Sequence, residues 1–253
     1  MGDKIFGASG ARIVIEEFLT GPEVSVLSFT DGNIVVPMVS SMDHKRAGDG
    51  DTGLNTGGMG TVAPNPYYTQ EVAELCMKTI FVPTIEAMKK EGREFRGCLY
   101  FGLMLTPAGP RVIEYNCRFG DPETQVVLPL LESDLLTIMM ATSEGRLSEV
   151  PVKFSDKSAC CVIIASKGYP VKYESGCPLA LPADGEDGVI YVAGAKRTEA
   201  GLVSAGGRVL GVTATADTLR EAVDAAYAKA AKVRFDNGFY RKDIGARALA
   251  AKE

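Results

Sequence analysis

The sequence lacks several features that would point to common classes of function. It contains a single histidine, His44, so it has no H-E-x-x-H pair of the kind that binds catalytic zinc. It contains neither G-x-x-x-x-G-K-[S/T] nor G-x-S-x-G, which excludes a Walker phosphate loop and a nucleophile elbow. No apolar run approaches about 18 residues, and residues 2–12 hold no hydrophobic signal core. We therefore expect no membrane partner and no secretory leader.

Net charge and cysteine spacing limit the possible partners and the cellular location of the protein. The net charge is −5, which argues against a nucleic-acid partner because phosphate binding needs clustered basic side chains. None of the six cysteines forms a C-x-x-C pair, and Cys160 and Cys161 are adjacent in an apolar run. We predict reduced core thiols rather than disulfides or zinc ligands, and hence a cytoplasmic or similarly reducing location.

The pattern of elements predicts an α+β fold in two parts. The polar stretch 143–157 gives a domain boundary, with one part over 1–150 and another over 157–253. In the first part we expect a buried strand at 12–19, a hairpin around Asp31-Gly32 and a long loop at 40–66. We then expect a helix that is capped by Thr69 and is kinked or split in two at Pro83, followed by a hairpin at 95–116. Two further helices are expected, one starting at Asp121-Pro122-Glu123 and one starting after Ser133. Met139 and Met140 of the last helix are interpreted as core residues. In the second part we expect buried strands at 159–165, 189–193 and 208–214, then a helix capped by Asp217.

The return strand of the second hairpin carries the clearest chemical signal. Glu114 and Asn116 are two residues apart and so project from one face of a strand. A carboxylate beside a carboxamide is a set of hard oxygen ligands suited to Mg²⁺, and Arg118 adds a cation suited to phosphate. Chemistry alone leaves this stretch equally open to a metal site and to an ordinary polar strand end.

The glycine-rich loop could bring backbone close to a ligand. Gly48, Gly50 and Gly53 fit G-x-G-x-x-G, but no helix follows and the intervening aspartates would repel a pyrophosphate. The run Asn55–Gly60 lets the backbone approach a ligand, while Lys45 and Arg46 could bind its anionic part. We expect His44 to have a structural place or to support neighbouring site residues, rather than to act as a catalytic base. The basic tail 239–245 is either a solvated face or a contact to an anionic substrate.

Several blocks of this sequence are similar, in the same order, to blocks of one enzyme family. They are Ile15–Leu19, Asp43–Arg46, Asn55–Gly60, Arg118–Gln125, Ser166–Pro170 and Tyr240–Gly245. The chain is thereby identified as resembling the phosphoribosylamine–glycine ligases. That resemblance implies an antiparallel ATP-grasp core followed by a small α/β domain. It also implies the cofactors ATP and Mg²⁺ (or Mn²⁺), and ligation of glycine to 5-phosphoribosylamine in purine biosynthesis, through a glycyl phosphate and with release of ADP and phosphate.

The resemblance also implies roles for individual residues. Glu114 and Asn116 correspond to metal ligands, and Arg118 with Lys45 to catalytic cations facing the transferred phosphoryl group. The positions that correspond to the ATP-binding hinge and ribose acceptor are Glu16, Glu17, Phe18, Leu19 and Glu23. The positions that correspond to substrate-facing elements are Asp43, Arg46, Thr56, Gly57, Gly58 and Asp121.

Length separates this chain from the family pattern. In the family, an N-terminal domain and most of a small lid precede the matching segment. We therefore expect a C-terminal portion of a ligase, which alone binds ATP weakly and turns over poorly. We expect the full-length enzyme to be monomeric or part of a multifunctional purine enzyme. Two alternatives stay open, namely an ATP-grasp ligase with a different acceptor and a non-catalytic nucleotide-binding module.

Overall fold

Two antiparallel sheets dominate the computed structural model, which describes residues 7–182 and 188–251. The strands, in chain order, are β1 Glu23–Thr30, β2 Val35–Pro37, β3 Met42–Asp43, β4 Arg46–Gly48, β5 Thr52–Asn55, β6 Gly60–Ala63, β7 Gly97–Thr106, β8 Gly109–Asn116, β9 Ser158–Ser166, β10 Val189–Val192, β11 Ala195–Thr198, β12 Gly201–Ser204, β13 Arg208–Ala216 and β14 Gly238–Phe239. The α-helices are α1 Gln70–Cys76, α2 Val82–Lys90, α3 Thr124–Val127, α4 Leu135–Glu144, α5 Leu219–Ala230 and α6 Ala246–Ala250. The predicted α+β class is confirmed.

The first sheet follows the order β2-β1-β7-β8, and the second follows β10-β13-β9-β6-β3, with β14 paired to β9. Both predicted hairpins are present, because the Asp31-Gly32 and Thr106–Gly109 turns join strands in antiparallel register. Strands β6 and β9 pair directly, so residues on either side of the predicted boundary share one sheet. The boundary itself stays a prediction.

Three hydrophobic layers hold these sheets. Leu27 and Phe29 of the first sheet pack with Cys161 and Ile163 of the second and with α3 and α4. Helices α1 and α2 cover the opposite face of the first sheet. Helix α5 lies on the second sheet, where it buries Leu219, Val223, Ala226 and Ala230 as the helical period predicts. Of the described helices, none has both the length and the apolar character that crossing a bilayer requires.

The strand predicted at 12–19 is wrong. Residues 13–20 have no regular secondary structure, and Phe18 is 89% exposed. Its apolar composition suggested burial, but among the described residues no strand pairs with this segment. The predicted loop at 40–66 is also wrong, because it contains strands β3 to β6. Each of these strands is short. Strand β3 pairs with β6, β6 also pairs with the distant β9, and β4 pairs with β5 in an irregular register. The local alternation of apolar and polar residues therefore does not reveal these strands.

Three helix starts are displaced from their predicted positions. The helix predicted from Asp121 begins at Thr124, because residues 121–123 form a turn that precedes it, and the Glu123 side chain at its end is buried. Helix α4 is capped by Asp134 and helix α5 by Thr218, each one residue after the predicted cap. The Thr69 cap is confirmed, and a π-helical turn at Met77–Phe81 precedes α2 and Pro83.

Met139 and Met140 are not core residues. They lie on the outer side of α4 and are 45% and 51% exposed, because Ile138 and Ala141 occupy its buried side. All six cysteines carry free thiols, and four of them are buried. Cys117 is instead exposed and Cys177 half-buried, which the prediction of core thiols did not anticipate.

Candidate functional site

The β7–β8 hairpin presents Glu114 and Asn116 side by side. Glu114 is opposite Gly102 and Asn116 is opposite Tyr100 in the antiparallel register. Being two residues apart, both side chains leave the same face of β8. A Cβ atom on Gly102 would lie 2.8 Å from the Glu114 Cγ atom, so the glycine leaves room for this carboxylate.

Lys45 lies between two acidic side chains at this face. Its Nζ atom is 3.2 Å from Glu23 Oε2 and 3.8 Å from Glu114 Oε1. Although partial burial alone would lower the pKa of Lys45, the attraction of Glu23 and Glu114 raises it above its ordinary value. Lys45 therefore remains a cation next to the proposed metal ligands.

A cavity of about 210 Å³ joins these groups to the glycine-rich segment. Its lining comprises Asp43, Lys45, Thr56, Gly57, Tyr100, Glu114, Asn116, Arg118, Gly120, Asp121 and Glu123. Eight of the residues predicted as site residues thus meet in one cavity. Arg118 is exposed at its mouth, where Nη1 donates to the Phe119 carbonyl oxygen at 2.8 Å.

The other predicted site residues lie at the margin of the cavity or away from it. Gly58 borders the cavity, because a Cβ there would lie 2.7 Å from Asp43 Oδ1. Glu23 reaches it only through Lys45, and Arg46 instead donates to the Gly53 carbonyl oxygen within the β4–β5 hairpin. The described cavity lining does not include the predicted adenine hinge, whose residues are Glu16, Glu17, Phe18 and Leu19.

Two buried carboxyl groups form the inner wall. Asp43 and Glu123 are both more than nine-tenths buried, and the Glu123 Oε1 atom accepts hydrogen bonds from Tyr100 at 3.2 Å and Ser25 at 3.3 Å. Burial raises the pKa of both groups, and the charge of Glu123 raises that of Asp43 further. A cationic ligand group would relieve this repulsion.

His44 has the structural place that was predicted. The Gly245 N–H donates to Nε2 at 3.3 Å, so Nε2 is unprotonated and Nδ1–H donates to the Gly60 carbonyl oxygen at 3.1 Å. Burial, with smaller contributions from Arg241 and Arg247, lowers the pKa of His44 to about 4. This neutral ring connects the segment carrying Asp43 and Lys45 to β6 and to the C-terminal turn.

Arg241 of the basic tail fits neither of the two roles considered for the tail, whereas Lys242 is exposed, as the solvated-face alternative expects. Arg241 is 2% exposed and binds Asp51, Asp243 and the Arg46 carbonyl oxygen. Its guanidinium therefore joins the tail to the β4–β5 hairpin within the chain. This contact could not be predicted from the sequence because Asp51 and Arg241 are 190 residues apart.

Four residues near the cavity were not assigned from the sequence. Glu123 was interpreted as part of a helix start, and Tyr100 lies within the hairpin predicted at 95–116. Arg208 of β13 and Tyr169 of the turn after β9 contact Gly57 across more than 100 residues. Glu123 and Tyr169 each belong to one of the similar blocks, but no role was assigned to either, and Tyr100 and Arg208 lie outside these blocks.

The oxygen donors fit a divalent cation that is shared with a nucleotide. Among the described residues there is no cluster of three or more His, Cys, Asp or Glu side chains able to hold a metal. Glu114 and Asn116 offer two oxygen ligands, and Mg²⁺ commonly binds one or two protein carboxylates together with substrate phosphates. The donor set thus suits a metal-nucleotide complex better than a metal alone.

Comparison with known proteins agrees with this chemistry. Residues 1–124 match the family model for the ATP-grasp (A) domain of phosphoribosylglycinamide synthetase, and residues 159–247 match the model for its C domain. The chain is 50% identical over 246 residues to a phosphoribosylamine–glycine ligase of Rhizobium meliloti, covering 97% of this chain and 58% of that protein. It is 48% identical to a bifunctional purine biosynthetic protein of Pichia angusta, covering all of this chain and 32% of that protein.

Solved structures show the same relationship. The phosphoribosylamine–glycine ligase of Thermotoga maritima superposes with a TM-score of 0.80 at 38% identity, over 90% of this chain and 57% of that one. A biotin carboxylase of Campylobacter jejuni shares the fold at a TM-score of 0.64 and 13% identity, over 89% and 48%. The chain spans about three fifths of the ligases that it matches. It has the ATP-grasp fold and belongs to the phosphoribosylglycinamide synthetase family.

Proposed function

We propose that this chain carries the catalytic centre of a phosphoribosylamine–glycine ligase. In this reaction ATP, glycine and 5-phosphoribosylamine give glycinamide ribonucleotide, ADP and phosphate in purine biosynthesis. The observation that carries the proposal is the single cavity that combines Glu114, Asn116, Lys45 and Arg118 with the buried acids Asp43 and Glu123. Its cations suit phosphate, and its acids suit the ammonium group of an amino acid.

The first step transfers the γ-phosphoryl group of ATP to glycine. A carboxylate oxygen of glycine bonds to the γ-phosphorus, the bond from that phosphorus to the bridging oxygen breaks, and ADP leaves. Arg118 and Lys45 stabilise the negative charge that is spread over the transferred group. A bound Mg²⁺ or Mn²⁺ would be held by Glu114 and Asn116 and would neutralise phosphate charge.

In the second step the amine of phosphoribosylamine attacks the acyl carbon of glycyl phosphate. The new C–N bond replaces the C–O bond to phosphate, which leaves as the amine loses a proton. Asp43 and Glu123 bind the ammonium group of the glycyl moiety and so orient its acyl carbon. Thr56, Gly57, Gly58, Arg46 and Asp121 keep their proposed substrate-facing roles.

The nucleotide base and ribose are proposed to contact the segment that precedes β1. Glu16, Glu17, Phe18 and Leu19 would bind adenine, and Glu23 would accept a hydrogen bond from ribose. Glu23 is already paired with Lys45, so ribose binding would release Lys45 towards the phosphates. The ion pair between Glu23 and Lys45 supports placing both residues at one nucleotide.

Two wider proposals follow from the same proposed reaction. We propose a cytoplasmic location, which suits a chain with six free thiols. We also propose that the full-length enzyme acts as a monomer or within a multifunctional purine enzyme. The bifunctional Pichia angusta relative supports the second possibility.

A chimera tests the activity directly. This chain would replace the matching segment of the Rhizobium meliloti ligase, with the intact ligase as control. We expect ADP formation that requires both glycine and 5-phosphoribosylamine, with glycinamide ribonucleotide detected by mass spectrometry. Nucleotide binding without glycine-dependent ADP formation would contradict the proposal and favour the non-catalytic alternative. ADP formation with a different acceptor amine would favour another ATP-grasp ligase.

A further inference from the structure

Strand β13 and the turn that follows β9 hold one glycine of the cavity wall from both sides. The backbone N–H of Gly57 donates to the Tyr169 hydroxyl oxygen at 3.1 Å. The carbonyl oxygen of the same residue accepts from Arg208 Nη1 at 2.7 Å. Both polar backbone atoms of Gly57 are thus bound by side chains that lie more than 100 residues further along the chain.

Arg208 connects this glycine to a second part of the wall. Its Nη1 atom also donates to the Asp121 carbonyl oxygen at 2.8 Å, and its Nη2 atom is 3.4 Å from Asp121 Oδ2. The Gln125 side chain donates to the other Asp121 carboxylate oxygen at 2.9 Å. One guanidinium therefore fixes the distance between the Gly57 turn and Asp121, both of which line the cavity.

The arrangement differs from a surface ion pair. Asp121 is half exposed, and an ion pair of that kind contributes little to stability in water. The carbonyl bonds are charge-assisted and come from a planar group on a largely buried side chain, so they define a geometry that a flexible ammonium would not reproduce. Because Arg208 is engaged by protein carbonyls, a direct substrate contact is the weaker interpretation.

The position of Tyr169 is fixed by close packing. A Cβ on Gly207 would lie 2.2 Å from Tyr169 Cδ2, so the ring rests directly on the backbone of Gly207. Tyr173 packs beside it with ring centroids 6.2 Å apart. Among the described residues the Tyr173 hydroxyl makes no hydrogen bond, which makes Tyr173 a matched control for Tyr169.

We propose that Arg208 and Tyr169 are positioning residues, which hold the Gly57–Gly58 turn and Asp121 in the conformation that receives the amino-acid substrate. The proposal rests on the proposed function of the cavity. Through these two side chains, β13 and the turn after β9 set the shape of a site whose other groups come from residues 43–123. Neither residue takes part in bond making or breaking.

Hydrogen exchange and kinetics test this together. Three variants test the proposal, namely Arg208→Lys, Arg208→Met and Tyr169→Phe. Two control variants would be measured beside them, Arg197→Lys and Tyr173→Phe. We expect exchange at the Gly57 and Gly58 amides to accelerate about tenfold, while the β9 and β13 amides change by less than about twofold. In the chimera, the factor by which KM for glycine rises should be several times the factor by which kcat falls. The variants Arg197→Lys and Tyr173→Phe should change neither quantity.

Two results would overturn the proposal. One is unchanged exchange at Gly57 and Gly58 in all three variants. The other is acceleration that extends equally through β9 and β13, since that would indicate a purely structural role. If the unsubstituted chimera forms no ADP, the proposed function fails. The exchange measurement on this chain would still decide whether Arg208 and Tyr169 hold the turn.

Discussion

The Lys45 ammonium lies 3.8 Å from the carboxylate of Glu114, one of the two proposed metal ligands. The two groups attract each other at a distance where a divalent cation would also interact with Glu114. Lys45 and the metal therefore compete for the same negative charge, and nucleotide phosphates would offer Lys45 an alternative partner. Replacing Lys45 should therefore change the affinity for the metal and the affinity for the nucleotide in opposite directions.

Lys45→Met should strengthen metal binding and weaken nucleotide binding. Without nucleotide, the affinity for Mn²⁺ should rise about three- to tenfold, because Glu114 loses a competing cation. With Mn²⁺ present, ATP affinity should fall about tenfold, because the phosphates lose a cation. Isothermal titration calorimetry would measure both, with Lys90→Met as a control. Parallel changes in the two affinities would contradict the competition.

Glu123→Gln should stabilise the fold while weakening amino-acid binding. The folded-state pKa of Glu123 is raised, chiefly by burial, so its contribution to stability is lost as pH rises above the ordinary carboxyl range. The amide keeps the acceptor for Tyr100 and Ser25 and removes the charge. We expect Tm to rise about 2–4 °C at pH 8 and less at pH 5. Glycine affinity should fall about tenfold.

Differential scanning fluorimetry at the two pH values and calorimetry with glycine would check this variant. Glu86→Gln, on the exposed side of α2, is the control. A loss of stability that is equal at both pH values would show that the Glu123 charge is well accommodated in the fold.

Gly58→Ala should disrupt the cavity, whereas Gly50→Ala should not. Both glycines have positive φ, +112° and +65°, so both substitutions strain the backbone. A Cβ at Gly58 would lie 2.5 Å from Pro122 and 2.7 Å from Asp43, while nothing lies within 4 Å at Gly50. We expect Gly58→Ala to reduce glycine binding more than tenfold, and Gly50→Ala only to lower stability by about 1 kcal/mol. Equal effects on binding would show that backbone strain, not contact with Asp43, is responsible.

His44 should make the fold sensitive to moderate acid. The unfolded chain binds a proton near pH 6.5, whereas the folded chain does so only near pH 4, so stability falls as pH falls through this window. At 1.36 kcal/mol per pKa unit, the loss is about 3 kcal/mol. His44→Gln retains a donor and an acceptor without a titrating ring. Denaturant unfolding between pH 7 and pH 4 should give a shallower pH dependence for this variant.

A second titrating group allows an internal check on that experiment. The Asp243 carboxyl is partly buried, which alone would raise its pKa, but its bonds to Arg241 and Gly50 lower the pKa to about 2. The contribution of Asp243 to the free energy of unfolding is therefore lost below about pH 4, outside the pH range in which His44 affects stability. If the free energy of unfolding of His44→Gln changed with pH between pH 7 and pH 4 as it does in the unsubstituted chain, His44 would not be the group that makes the fold sensitive to acid.

Local signals predicted the parts of the fold that short-range chemistry determines. The two hairpins follow from Asp31-Gly32 and from the turn at Thr106–Gly109, and the Thr69 cap follows from its side chain. The pair Glu114 and Asn116 could be placed on one face because strand periodicity is local. These features needed no knowledge of distant residues.

Long-range contacts account for what the sequence did not predict. Strand β6 looked like loop because its four residues are defined by pairing with β9, about 100 positions later. Glu123 was interpreted as part of a helix start because its partners Ser25 and Tyr100 lie far away in the sequence, on the central strands β1 and β7 of the first sheet. The apolar run before β1 suggested burial, yet its side chains are exposed.

The central claim is that Glu114 and Asn116 bind the metal of a metal-nucleotide complex. Electron paramagnetic resonance of Mn²⁺ in the chimera tests it most directly, by comparing free Mn²⁺ with and without ATP. The expected result is ATP-dependent Mn²⁺ binding that weakens at least about tenfold in Glu114→Gln and stays unchanged in Glu91→Gln. Mn²⁺ binding of equal strength in Glu114→Gln and the unsubstituted chimera would contradict the account.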